Sequence, residues 1–178
     1  MTTDRYEARD ATGALHAVHC RIGTGQGKRV WWELPDGTRG LGDWPLADLP
    51  LYGIHLLDKR PTVVITEGEK AAQSLIDRGI PAVGTVTGAS ATPGRKALAE
   101  LTGRYVILWP DNDDVGRAHM DRVGGTLAEI GVLTYLVLWP DAPEHGDAAD
   151  CADPEPLIAA ARLWERPWHS EGRKVVEL

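Results

Sequence analysis

Nearly unbroken apolar runs alternate with mixed apolar and polar stretches over the last two thirds of the chain. Residues 62–66, 81–86, 104–109 and 132–139 read as strands buried on both faces. Between and after them, residues 70–78, 94–101, 115–130 and 156–164 read as helices. Gly79, Gly103 and Gly131 follow three of these helices at the position where a left-handed backbone is wanted. Strands alternating with helices of this length predict βαβ units, and so an α/β fold with a parallel four-stranded sheet flanked by helices.

Ahead of Pro61 the pattern changes. Residues 14–21 and 28–34 are two β-type runs separated by Gly23-Thr24-Gly25-Gln26-Gly27, which suits an antiparallel hairpin. Pro35-Asp36-Gly37-Thr38 reads as a tight turn. Residues 44–58, with Pro45, Pro50, Leu49, Leu51, Tyr52 and Ile54, predict a loop and a short helix packing the first part onto the second. The expected division is a small β-rich lobe over 1–60 and a catalytic α/β domain, with a C-terminal helix and tail, over 61–178.

A chain of 178 residues with 43% hydrophobic content can bury one ordinary core. It has no 18-residue apolar run and no basic-then-apolar start, so the expectation is a soluble, cytoplasmic protein with no membrane partner. Cys20 and Cys151 stand far apart without a CxxC pair, which predicts packing residues and not a disulfide framework or zinc ribbon. His16, His19 and Cys20 are close in sequence, but strand alternation sends His19 to the opposite face from the other two. The same alternation sets Trp31 and Trp32 on opposite faces, as a core residue beside an exposed aromatic or as a base-stacking platform.

Charge sharpens the picture. Up to Arg60 acidic and basic residues balance at eight each, so the second part carries the whole net charge of −7. Such a protein gains little from general electrostatics in binding nucleic acid, and needs local basic groups or bridging metal ions. In the first lobe Arg21, Lys28, Arg29 and Arg39 form the one plausible basic track.

The acidic residues gather at strand exits. The run YVILWPDND, residues 105–113, ends in Asp111 and Asp113; the strand at 62–66 leads into Glu67-Gly68-Glu69-Lys70; and the strand at 132–139 leads to Gly146-Asp147 and Asp150. YVILWPD at 105–111 is echoed by YLVLWPD at 135–141, one βα unit later. In an open parallel sheet the ligand crevice lies beyond the carboxyl ends of the strands, so these carboxylates are expected on one rim. Crowded carboxylates are costly to keep ionised without a cation among them. Their oxygens suit Mg²⁺ or Mn²⁺, and phosphoryl transfer is the natural chemistry. Duller roles compete at each position: Glu67 and Glu69 as charges favouring a helix N-terminus, Asp113 or, preferably, Asp114 as an N-cap, Asp153 as a later cap, and Lys70 and Arg117 as solvated charges. His119 receives no role.

Glu67-Gly68, Asp111-x-Asp113 with Gly116-Arg117 behind it, and Gly146-Asp147-x-x-Asp150 together resemble the Toprim domain. EGEKAA, PDNDDVGRAHM and GDAADCAD are most similar to bacterial-type primases of phages and plasmids, with the resemblance covering residues 62–163 and PLYGIHLL as its lead-in. The resemblance implies that Glu67, Asp111 and Asp113 are catalytic. It also implies that Glu67, Asp111, Asp113 and Asp147 hold Mg²⁺ or Mn²⁺, with Asp150 as a further candidate. Lys70 and Arg117, each near a helix start, are the candidate nucleotide or DNA contacts. The implied activity is DNA primase, a nucleotidyltransferase making RNA primers from ribonucleoside triphosphates on a single-stranded DNA template. The implied partners are a helicase and a zinc-binding module carried elsewhere. A metal-dependent nuclease and a non-catalytic nucleic-acid or nucleotide-binding module are the alternatives; topoisomerase strand passage is set aside for want of length and an active-site tyrosine.

Overall fold

The computed structural model describes residues 3–24, 27–88 and 91–165. Gly25 and Gln26 of the expected hairpin loop, Ala89 and Ser90 of the loop after the second parallel strand, and the tail over 166–178 lie outside the described residues.

The first part is an antiparallel sheet of β1 (Thr3–Arg9), β2 (Leu15–Thr24) and β3 (Gly27–Glu33), in that spatial order. The expected hairpin is β2 and β3, with His19 opposite Trp32 and Arg21 opposite Val30. β1 escapes the apolar pattern because it is an edge strand, TDRYEAR, in which Ala8 alone is buried. Trp31 and Trp32 do fall on opposite faces, but both are partly covered. The Trp31 indole N–H donates to Glu33 at 2.7 Å, and the Arg39 guanidinium lies 4.8 Å from its ring centre. Trp32 stacks on His19 with centroids 4.5 Å apart.

Residues 44–58 hold no α-helix, in contrast to the expectation of one, but two 3₁₀ turns, Leu46–Asp48 and Ile54–Leu56. Pro45, Pro50 and the left-handed Gly53 (φ 80°) break the run too often for an α-helix to start. Tyr52 instead forms a β-bridge to Gly84, which ties this segment to the second sheet.

The second sheet contains five strands among the described residues, one more than the pattern predicts. They are β4 (Thr62–Thr66), β5 (Ala82–Gly84), β6 (Tyr105–Trp109), β7 (Leu133–Leu136) and β8 (Arg162–Leu163), in the order β5-β4-β6-β7-β8. The first four are parallel and β8 runs antiparallel on β7. β8 takes residues assigned above to the last helix, which is α4 (Pro154–Ala159) and stops early. The Trp164 amide donates to the Thr134 carbonyl at 2.9 Å, and its ring packs where a Cβ on Gly124 would come within 2.9 Å of it. Burying an indole in that notch outweighs one more turn on a six-residue helix.

Helices α1 (Glu69–Ile76), α2 (Arg95–Ala99) and α3 (Asp114–Glu129) fill the gaps between strands. Strand alternation divides the core. Val63, Ile65, Val106 and Leu108 pack on one side with Leu98, Met120, Val123 and Leu127 of α2 and α3. Val64, Ile107 and Trp109 pack on the other with Ala71 and Leu75 of α1. Gly79, Gly103 and Gly131 all have positive φ, as their place after helices requires. Among the described residues no helix is long and apolar enough to cross a membrane.

The strand order puts the site in place. From β4 the chain moves to β5 on one side, then returns to β6 on the other, so β4 and β6 flank the point where the winding reverses. A crevice opens outside the carboxyl ends of strands at such a point.

Candidate active site

Thr66 of β4 lies beside Trp109 of β6, so the residues that follow them emerge together. They are Glu67 and Asp111. Glu67 sits in a tight turn before α1. The Thr85 hydroxyl donates to the Glu67 carbonyl at 2.6 Å, and the Thr66 hydroxyl donates to the Gly68 carbonyl at 3.0 Å. Having spent its proton, Thr85 accepts from His119 Nε2–H at 3.0 Å, which defines the donor nitrogen of that imidazole. His119 is completely buried in α3 and so supports the turn that carries Glu67, a function no sequence signal gave it.

Gly84 and Gly116 make the approach possible. A Cβ at 84 would lie 2.7 Å from the Gly68 carbonyl oxygen. A Cβ at 116 would lie 2.8 Å from the Asp111 carbonyl oxygen and 2.9 Å from both Asp111 Cβ and Glu67 Oε2. The two carboxylate residues therefore crowd one point above α3.

Glu67, Asp111, Asp147 and Lys70 line one cleft of about 370 Å³, with His19, Arg21 and Val30 from the N-terminal sheet on its other wall. Asp147 enters from the loop after β7; Lys70 Nζ stands 3.8 Å from Asp147 Oδ2. Asp147 also accepts from the Ala149 amide at 2.6 Å, and its own amide donates to Asp150 at 3.0 Å. Burial, then the charges of Glu67, Asp147, Asp113 and Asp150, push the Asp111 carboxyl up to about 7. Its proton is thus exchanged in the neutral range.

Asp113 stands beside this cleft and outside its lining. It is the N-cap of α3, accepting from the Gly116 amide at 2.7 Å through Oδ1, while Oδ2 pairs with His145 Nδ1 at 2.9 Å. The cap is therefore Asp113 and not Asp114: Asp113 has the extended backbone (φ −147°, ψ 172°) that aims a side chain back at the first turn, whereas Asp114 is already helical. The Gly116 amide and His145 hold the Asp113 carboxyl below its ordinary value, and Asp113 raises His145 in return. Asp153 occupies the N-cap position of α4 without a side-chain capping bond.

Arg117 also lies away from the cleft. Its guanidinium donates to Asp114 at 2.8 Å and to Asn112 at 3.1 Å, so Lys70 and Arg117 do not share a surface. Asn112 sews the loop after β7 to the loop after β6, its side-chain amide donating to the Ala142 and Pro143 carbonyls, each at 3.0 Å. Its backbone amide donates to Gly146 at 2.9 Å. The middle residue of Asp-Asn-Asp is in this way what keeps Asp147 near Asp111.

Two further groups line the cleft, His19, whose pairing carries no local sequence signal, and Arg21 of the expected basic track. His19 Nδ1 lies 2.6 Å from Oε1 of the buried Glu69, joining strands to α1 across fifty residues of chain. Arg21 lines the same wall, whereas Arg29 and Arg39 lie on the outer face, so the basic track splits between two faces.

The oxygen-only donor set and the raised Asp111 carboxyl fit Mg²⁺ or Mn²⁺. Among the described residues no three Asp, Glu, His or Cys side chains form a ready-made cage. Mg²⁺ does not need one, because it keeps several waters and takes one or two carboxylates plus substrate phosphate.

The architecture is shared with solved DNA primase structures. A DNA primase domain from Pseudomonas aeruginosa matches 89% of this chain and 47% of its own at 16% identity and a TM-score of 0.62. The zinc-binding and RNA polymerase domains of Aquifex aeolicus primase match 88% of this chain and 40% of their own at 18% identity and a TM-score of 0.67. This is the fold of a DNA primase catalytic core. It also matches a chain of the bacteriophage T7 structure in which a lagging-strand DNA polymerase interacts with primase domains of two gp4 subunits bound to an RNA/DNA hybrid and dTTP. There the match covers 91% of this chain and 78% of that one, at 22% identity and a TM-score of 0.60. The present chain spans less than half the length of the Pseudomonas and Aquifex primase chains. No protein-family model and no curated protein matches it.

Proposed function

We propose that the chain is the catalytic core of a DNA primase of Toprim type, joining ribonucleotides on a single-stranded DNA template. The observation that carries the proposal is the meeting of Glu67, Asp111, Asp147 and Lys70 around one cleft at the winding reversal of a primase-core fold. Mg²⁺ or Mn²⁺ bound by Asp111, Glu67 and Asp147 would supply charge neutralisation for the phosphates and a more acidic attacking hydroxyl. Asp113 would join that set only in exchange for the exposed His145, its other oxygen accepting from the Gly116 amide.

The chain's own groups do the rest. Lys70, exposed beside Asp147, and Arg21 on the opposite wall offer positive charge to a triphosphate or template phosphate from two sides. Glu67, whose main chain is pinned by Thr85 and thereby by His119, is the candidate base for the hydroxyl proton. Arg117 orders the loop after β6 through Asn112 and Asp114. A zinc-binding module is an expected partner, since a zinc-binding domain belongs to the Aquifex primase structure this chain matches, and a helicase is the second partner that the Toprim primase resemblance implies.

The test is to incubate the protein, with a helicase and a zinc-binding module supplied, with single-stranded DNA, labelled ribonucleotides and Mg²⁺ or Mn²⁺. Oligoribonucleotides from the wild type and none from Asp111→Asn are expected. Degradation of the DNA without added nucleotides would show a nuclease instead. Binding unaffected by Asp111→Ala and Asp113→Ala, with no turnover in any variant, would show a non-catalytic module.

A further inference from the structure

The repeated Trp-Pro-Asp has one member, Trp139-Pro140-Asp141, that the acidic cleft does not use. β6 and β7 are adjacent and parallel, with Leu108 opposite Leu136, so their Trp-Pro exits emerge side by side. Trp109 and Trp139 meet edge to face with centroids 6.1 Å apart. Between these exits and α3 lies a cavity of about 480 Å³, within the range of small-molecule sites. Its apolar wall includes Trp109, Pro110, Trp139, Pro140, Leu138 and Met120. Its polar groups are Asp111, Asn112, Arg117 and Asp121. Asp111 is a wall of both this cavity and the acidic cleft, so the two spaces share that residue.

The lining selects a ligand that is flat, apolar on its faces and polar on its edges. A lipid tail would leave Asp111, Arg117 and Asp121 facing bare carbon. A sugar would waste the indole and proline faces. A nucleobase satisfies both, stacking on the partly exposed Trp139 and on Pro140 and presenting donors and acceptors at its rim. Arg117 is held in place by Asn112 and Asp114, and Asp121 by the Trp164 indole N–H at 3.2 Å, so these edge groups are fixed before a ligand arrives.

We propose that this cavity is a nucleobase subsite, occupied by the base of a nucleotide or single strand whose phosphates lie at the acidic cleft. The proposal rests on the assignment of that cleft to phosphate chemistry.

Calorimetric titration of the full chain with ATP, inorganic tripolyphosphate, a short oligodeoxyadenylate and an abasic strand of equal length tests it. The variants are Trp139→Ala and Trp139→Phe, the second keeping a ring against Trp109 as the control for folding. The wild type should bind a base-bearing ligand more tightly than its baseless counterpart. Trp139→Ala should erase at least about fivefold of that preference while leaving tripolyphosphate binding unchanged, and Trp139→Phe should restore most of it. A preference confined to ATP assigns the subsite to the free nucleotide; one confined to the oligonucleotide assigns it to the strand. Equal binding of base-bearing and baseless ligands by the wild type, or an unchanged preference in Trp139→Ala, overturns the proposal. Base-dependent binding without priming would sink the primase assignment and leave the subsite standing; priming with an indifferent Trp139→Ala would do the reverse.

Discussion

The chain leaves both β6 and β7 through Trp-Pro-Asp, yet Asp111 and Asp141 have opposite fates. Asp111 is half-buried among Glu67, Asp147, Asp113 and Asp150, and its carboxyl is pushed up to about 7. Asp141 is exposed. The difference is the neighbour. β6 lies against β4 across the winding reversal, where a second acidic exit faces it, whereas β7 lies against the two-residue β8. A motif becomes a site because of where the topology delivers it, and identical words one strand away become a surface turn.

That contrast can be broken most forcefully at Asp111 itself. Asp111→Asn should lower any divalent-dependent turnover by about a thousandfold or more, the scale at which charged active-site groups act, measured as primer yield per enzyme. It should also change the pH profile of the metal-free protein. An aspartate with a raised native carboxyl costs nothing below its unfolded value near 4 and its full penalty above about 7. Wild-type melting temperature should therefore carry a downward component between about pH 4 and 7 that Asp111→Asn removes.

Gly116→Ala comes next. The added Cβ meets the Asp111 carbonyl, which is backbone and cannot swing aside, so a loss of about 1–3 kcal/mol is expected in denaturant unfolding, with weaker cation binding. Asp113→Ala should cost about 1 kcal/mol as a lost N-cap and weaken divalent binding less than Asp111→Asn does, because both Asp113 oxygens already have protein partners. Asp141→Ala should change stability by less than about 0.5 kcal/mol and leave turnover intact. If Asp141→Ala matched Asp111→Asn, the contrast between the two exits would be void.

What the chain's pattern revealed follows the same logic. Unbroken apolar runs punctuated by helix-ending glycines are local signals, so the four parallel strands, their helices and the acidic exits were legible. A shared rim was expected from the exits alone; the strand order adds that β4 and β6 are neighbours on either side of the winding reversal. β1 and β8 are edge strands with exposed or two-residue pairing, and edges carry little period. The choice between Asp113 and Asp114 as the cap turned on one residue's backbone angles. His19 with Glu69, and His119 with Thr85, are pairs made by tertiary packing over 50 and 34 residues of separation, beyond any window of local pattern.

The most direct test of the central claim is a Mn²⁺ titration of the full chain near pH 7, read by calorimetry in two buffers of different ionisation enthalpy. Binding should release a proton, since Asp111 titrates in that range, should weaken on acidification, and should be lost in Asp111→Asn. Mn²⁺ binding by Asp111→Asn with wild-type affinity would contradict the account.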